Sequence, residues 1–168
     1  LAIRNVTVDG ADGEELIAVD LPGAYSMSPF TSEESVTRDY IINEKPDVII
    51  NIVDATNLSR SLFFTTQLLE LGVPVVVALN KSDINAKKET DINVELLSEK
   101  LGCPVVSTIS ISSNDKGLME VVNTAVASYG KGQVAPFKQD DIDLTNKEEV
   151  VAADRKRFEF VNKIVKEV

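Results

Sequence analysis

Two apolar runs constrain this chain more than any other feature: Asp47-Val48-Ile49-Ile50-Asn51-Ile52-Val53-Asp54 and Val73–Leu79. Each is strand-sized, and neither alternates between apolar and polar positions. A strand with one wet face alternates; a near-continuous apolar strand is covered on both faces, as in a parallel sheet flanked by helices. The segments between fit that frame. Leu58–Leu71 has helical spacing, with Leu62, Phe63, Phe64, Leu68 and Leu69, and Gly72 stops it. Val94–Leu101 reads as a helix closed by Gly102, and Pro104–Ile109 as a strand. Gly117–Tyr129 reads as a helix with Leu118, Val121, Val122 and Val126 on one face. Strands alternating with helices predict an α/β fold with a mostly parallel sheet.

The amino-terminal part differs. Ala2–Val8 and Glu15–Val19 read as strands, and Asp9-Gly10-Ala11-Asp12-Gly13 between them is a turn, because Gly and Asp tolerate positive φ. The two predict an antiparallel hairpin. At the other end, composition shifts after residue 130. Residues 131–149 read as a linker, since Lys138–Glu149 holds five acidic residues against two lysines. Residues 150–168 read as an amphipathic helix, with Val151, Phe158, Val161, Val165 and Val168 expected on one stripe.

Composition excludes several kinds of chemistry. The 168 residues are 43% hydrophobic and 26% charged, which is globular composition. Their net charge is −10, which disfavours a broad basic surface for nucleic acid. Histidine is absent, so His general bases, Ser-His-Asp triads and His metal sites are excluded. The single cysteine, Cys103, excludes an intrachain disulfide and fits a reducing compartment. No run reaches the roughly 18 apolar residues of a membrane span. A local phosphate pocket remains open, because backbone N–H groups and one metal ion hold phosphates without net positive charge.

Ligands of parallel sheets sit at the strands' carboxyl ends. Asn80-Lys81-Ser82-Asp83 follows the strand 73–79 and fits N-K-x-D. A guanine edge offers a ring N–H and an exocyclic amine, and one carboxylate, here Asp83, accepts from both. The Asn80 amide bridges base and neighbouring loops, and the Lys81 stem lies over the base plane. As a bare string, N-K-x-D also fits an ordinary polar loop capping a helix. Asp20-Leu21-Pro22-Gly23 fits D-x-x-G at a strand end. The Asp20 carboxylate suits a water of a phosphate-bound Mg²⁺, and Gly23 lets its N–H approach a terminal phosphate. Alone, that string is also a plain Pro-Gly turn.

The longer strings resemble one family. Asp20–Phe30, then Ser32-Glu33-Glu34, then Arg38-Asp39-Tyr40 closely resemble the second switch region of the ferrous iron transport protein B (FeoB) GTPase domain. Pro46–Leu58 and Thr65–Asn80 resemble that family too, and the likeness covers about residues 14 to 129. Ala152-Ala153-Asp154-Arg155, with Phe158 and Val161, resembles the segment leading to the family's first membrane helix.

The resemblance implies a Ras-like P-loop GTPase fold over residues 1–130, with the antiparallel hairpin formed by that fold's second and third strands. It implies a GTP-binding and hydrolysing domain, with GTP or GDP and Mg²⁺ as cofactors and K⁺ as a further candidate. Its partners would be guanine nucleotide and the membrane-spanning part of the same Fe²⁺ transporter, at the cytoplasmic face of the membrane, with no nucleic acid; oligomerisation stays open. By position, Asp20, Leu21, Pro22 and Gly23 would meet the phosphates, with Asp20 serving Mg²⁺ through water. Asn80, Lys81 and Asp83 would meet guanine, and Ile109 and Ser110 the guanine oxygen. Ala24, Tyr25, Ser26, Glu33, Glu34 and Arg38 would belong to the switch.

The departures are specific. No G-x-x-x-x-G-K-[ST] occurs, and the switch I threonine region is also missing. Both are expected upstream of Leu1, so the chain is expected to be truncated at its amino end. Ile109-Ser110 stands where the family carries a Ser-Ala pair. Ala24 stands where Ras-like enzymes carry a water-orienting Gln, so slow intrinsic hydrolysis is expected and no catalytic residue is assignable. Arg38 and Arg60 read as helix-surface ion-pairing residues. Two alternatives stay open: a ribosome-associated or other translational GTPase, and a non-enzymatic interaction fragment unable to hold phosphates.

Overall fold

The computed structural model describes residues 4–9, 15–21, 32–80, 92–108, 116–128, 133, 135–137 and 145–168. It divides into two units, Leu1–Pro46 and Asp47–Val168.

In the first unit, β1 (Arg4–Asp9) and β2 (Glu15–Asp20) form the expected antiparallel hairpin, in register from Arg4 opposite Asp20 to Asp9 opposite Glu15. Helix α1 (Ser32–Glu44) buries Thr37 and Ile41, four residues apart and therefore on one face. It ends at Lys45, which takes a φ of 46°, before Pro46, whose ring bars a further helical turn.

The second unit is built on a parallel sheet. β3 (Ile49–Asp54), β4 (Val75–Asn80) and β5 (Val105–Thr108) pair in that order, with Ile52 beside Ala78 and Ala78 beside Val106. β4 is central, and Val75 through Leu79 are all buried, as an unbroken apolar run requires. β3 departs from expectation. Asn51 and Val53 are buried, but Ile50 and Ile52 are 45% and 69% exposed. The reason is coverage: α2 (Leu58–Glu70) packs on the Asn51 face, whereas α4 (Lys116–Ser128) lies over β4 and β5, where Ala78, Val106 and Val121 meet. Among the described residues, β3 pairs on one side only.

Local signals set the helix ends. The Asp54 carboxylate caps a 3₁₀ turn at Ala55–Asn57 that leads into α2. α3 (Val94–Leu101) begins where the Asn93 side chain accepts from Leu96 N–H and ends at Gly102, whose φ of 71° is left-handed. Its inward residues Leu97 and Leu101 are fully buried.

Helix α5 (Lys147–Glu167) starts three residues earlier than the expected 150–168, because Asn146 accepts from the N–H groups of Glu148 and Glu149. Its buried stripe is Val150, Ala153, Arg157, Val161 and Ile164. The expected stripe is therefore corrected: Val161 is buried, whereas Val151 and Phe158 are exposed. The physical reason is Arg157. Its guanidinium is buried against α2, donating to Thr66 Oγ1 at 3.0 Å and to Glu70 Oε2 at 2.5 Å. Its Cζ stands 5.9 Å from the Phe63 ring centre and 5.2 Å from that of Phe137. Phe158 stacks on Phe63 with centroids 4.3 Å apart, and Phe137 on Phe160 at 5.1 Å.

Candidate functional site

All strands of a parallel sheet deliver their carboxyl ends to one rim. Here the register sets Asp54 beside Asn80 and Asn80 beside Thr108, about 4.8 Å apart between neighbouring strands. From Asp54 the chain passes directly into the 3₁₀ turn at Ala55–Asn57. Asn80 is half-buried at the end of the most buried strand, so its amide is held at the rim by a rigid element.

The Asp54 corner is tightly organised. One carboxylate oxygen accepts from the Thr56 N–H at 2.9 Å and from the Thr56 hydroxyl at 2.6 Å. The Asp54 N–H donates to Ser61 Oγ at 3.2 Å, tying the strand's end to the first turn of α2. One layer deeper, the Thr65 hydroxyl donates to Asn51 Oδ1, which satisfies the polar side chain at the centre of β3. Sequence reading assigned no role to this corner. Its signal was the Asp-x-Thr pattern directly after an apolar strand, which offers a carboxylate to the next turn's N–H groups.

The predicted site residues fall as follows. Asn80 ends β4, and Ile109 and Ser110 directly follow Thr108, the neighbouring rim residue; the last two lie outside the described residues. Lys81 and Asp83 also lie outside them. Asp20 ends β2, is exposed, and is followed by half-buried Leu21, both in the first unit. Pro22, Gly23, Ala24, Tyr25 and Ser26 are outside the described residues. Glu33 and Glu34 lie in the first turn of α1, and Arg38 is half-buried further along it.

A single exposed carboxylate is no metal cage. Among the described residues no group of three or more acidic or cysteine side chains converges on an ion position. Asp20 fits a Mg²⁺ whose other ligands are water and phosphate oxygens, since that ion keeps most of its water and takes few protein ligands.

Away from the rim, a cavity of about 520 Å³ opens at the amino ends of the strands, lined by Ser98, Cys103, Pro104, Thr124 and Gln133 among others. Burial pushes the Cys103 thiol up to about 12, so this cysteine is protonated and unreactive at neutral pH. Beside it, the Gln133 side-chain amide accepts from the Val75 N–H at 2.8 Å and donates to the Val75 carbonyl at 3.0 Å. It stands in for one more ladder step next to β5.

A family model described as ferrous iron transport protein B matches residues 4–125. The Fe(2+) transporter FeoB of Salmonella typhimurium is 44% identical over 115 residues, covering 62% of this chain and 15% of that protein. The Fe(2+) transporter FeoB of Escherichia coli is 40% identical over 134 residues, covering 74% and 17% respectively. The chain thus spans about one sixth of the length of the curated relatives it matches. Among solved structures, the cytosolic domain of the T. maritima FeoB iron transporter in its GMPPNP form superposes with a TM-score of 0.85 at 21% identity, over 99% of this chain and 84% of that one. The mGMPPNP-bound NFeoB from S. thermophilus gives 0.76 at 28% identity, over 96% and 83%. The fold is the Ras-like P-loop GTPase fold.

Proposed function

Because the chain belongs to the ferrous iron transport protein B family, we propose that it is the guanine-nucleotide-binding, GTP-hydrolysing switch of an Fe²⁺ transporter, working at the cytoplasmic face of a membrane. The observation that carries this reading is Asn80. It opens an N-K-x-D string at the carboxyl end of the central strand, abreast of Thr108, which Ile109 and Ser110 follow in the sequence.

In this reading Asn80 orients the base and ties the two loops, Lys81 covers the base plane, and Asp83 accepts from the two guanine donors. Ile109 and Ser110 meet the guanine oxygen through backbone N–H groups. Asp20 holds a water of Mg²⁺, and Leu21, Pro22 and Gly23 carry the backbone past the terminal phosphate. When bound, Mg²⁺ neutralises charge on the β- and γ-phosphates. Ala24, Tyr25 and Ser26, with Glu33, Glu34 and Arg38 of α1, belong to the switch that answers the γ-phosphate. K⁺ is a further candidate cofactor. With Ala24 carrying no side chain that can orient water, intrinsic hydrolysis is slow. The membrane-spanning part of the same transporter is the partner that reads the switch.

The base assignment is tested in the full-length protein by Asp83→Asn. An amide presents a donor where the carboxylate presents an acceptor, so preference should move from guanine towards xanthine nucleotides by at least about tenfold. Unchanged base selectivity, measured by calorimetry with GDP and XDP, would overturn the guanine reading.

A further inference from the structure

We propose that Asp54 and Thr56 are positioning residues for the guanine base, acting through Asn80, an inference that rests on the guanine reading above and adds two residues to it. Side chains alternate between the faces of a strand, and paired residues share a face. The register therefore makes Asp54, Asn80 and Thr108 one polar row across three strands. The row lies two residues beyond Ile52, Ala78 and Val106, on the same face. Asn80 is thus flanked by a carboxylate-bearing residue on one side and a hydroxyl-bearing residue on the other.

Different forces hold the two flanks. Thr108 is buried, and Ala78 and Val106 before it pack on Val121 of α4, so burial holds that side. On the Asp54 side, Ile50 and Ile52 of the same face are exposed, and β3 has no further strand beside it among the described residues. Hydrogen bonds place Asp54 instead. Its Oδ1 accepts from the Thr56 N–H at 2.9 Å and from the Thr56 hydroxyl at 2.6 Å, which closes the 3₁₀ turn back onto the end of β3. Its own N–H donates to Ser61 Oγ of α2 at 3.2 Å.

Ala55 and Leu58, on either side of this clamp, are buried, whereas Thr56 itself is exposed. Bonds made at the surface add little to global stability, because water competes for both partners. What they set is direction: they fix the backbone at the residue abreast of Asn80. A group that orients a ligand must be held to within about 0.5 Å, and it is held by the side chains and backbone around it. Thr56 is therefore expected to matter more for how long a base stays bound than for whether the protein folds.

The test is release of mant-GDP from the full-length protein, followed by stopped-flow fluorescence. Thr56→Val keeps the shape and loses the hydroxyl bond, and release should accelerate by at least about fivefold. Asp54→Ala loses both bonds and should release faster still; if it unfolds, Asp54→Asn, which keeps an oxygen acceptor without the charge, takes its place with a smaller acceleration. Thr56→Ser keeps both bonds and should recover most of the wild-type dwell time. Thermal unfolding of the nucleotide-free protein should move little in Thr56→Val. A merely structural role predicts the reverse, a lowered melting temperature with unchanged release, and that result would overturn the proposal. So would release from Thr56→Ser as fast as from Thr56→Val. Failure of the base reading looks different: the wild type does not bind mant-GDP, or Asp83→Asn keeps its guanine preference, and either result removes the clamp's role as well. Normal guanine selectivity with unchanged release from Thr56→Val removes the clamp alone.

Discussion

Arg157 of α5 and Glu70 of α2 form an ion pair 2.5 Å long across 87 residues of sequence. The guanidinium is 1% exposed and the carboxylate 21% exposed, so the cation is the more committed partner. Thr66 and two aromatic rings complete its surroundings, while Nε is buried with no hydrogen-bond partner among the described residues. This contact fixes which face of α5 meets α2.

Glu70→Gln should therefore destabilise the protein by about 2–4 kcal/mol, because it leaves a buried charge uncompensated; partial exposure of Glu70 keeps the cost below that of a fully buried pair. Arg157→Met combined with Glu70→Gln should recover most of that loss, since an unbranched apolar chain fits the same channel. Urea denaturation midpoints of the single and double variants measure the difference. Equal stability of wild type and Glu70→Gln would show that the pair does not hold α5.

The hydrogen bond between Thr65 and Asn51 predicts an asymmetric pair of outcomes. Thr65→Val keeps the shape but strands a buried amide, at a cost of about 1–3 kcal/mol. Adding Asn51→Val removes the stranded group as well, and the double variant should lie closer to wild type than the single one. Thermal melting of the three proteins decides it, and strict additivity would argue against the bond.

Gln133 should behave as a surrogate strand residue. Gln133→Ala frees both backbone groups of Val75 at the start of β4, with an expected loss of about 1–2 kcal/mol. Its specific signature is faster hydrogen exchange at the Val75 amide, with little change at Leu79, near the far end of the strand. Unchanged exchange at Val75 would rule the role out.

Cys103 predicts an alkaline slope. Burial raises its thiol to about 12, above its value in the unfolded chain. Its contribution is complete below about pH 9 and is lost as pH rises towards 12, because the unfolded chain releases that proton first. Relative to Cys103→Val, the wild-type protein should lose about 2 kcal/mol between neutral pH and about pH 10.5. Parallel stability curves for the two proteins would contradict a buried thiol.

At the candidate site, the strings gave Asn80 and Asp20 correct positions at the ends of strands, because a polar residue terminating an apolar run is a local pattern. The Asp54 corner was less legible. Its carboxylate bonds lie within two residues, yet its importance comes from standing beside Asn80, and that adjacency is made by pairing β3 with β4.

The sequence by itself determined the alternation of strands and helices, the hairpin, the buried character of β4 and the glycine that closes α3. Each of these rests on interactions between residues a few positions apart, where apolar periodicity and backbone freedom act directly. Only the tertiary structure decided that Arg157 faces inward while Val151 and Phe158 face solvent. It also decided that Ile50 and Ile52 are bare although they sit in an apolar strand. Hydrophobicity ranks a residue by its own chemistry. Burial depends on what arrives to cover it, and for Arg157 that is a carboxylate, a hydroxyl and two rings supplied by distant parts of the chain.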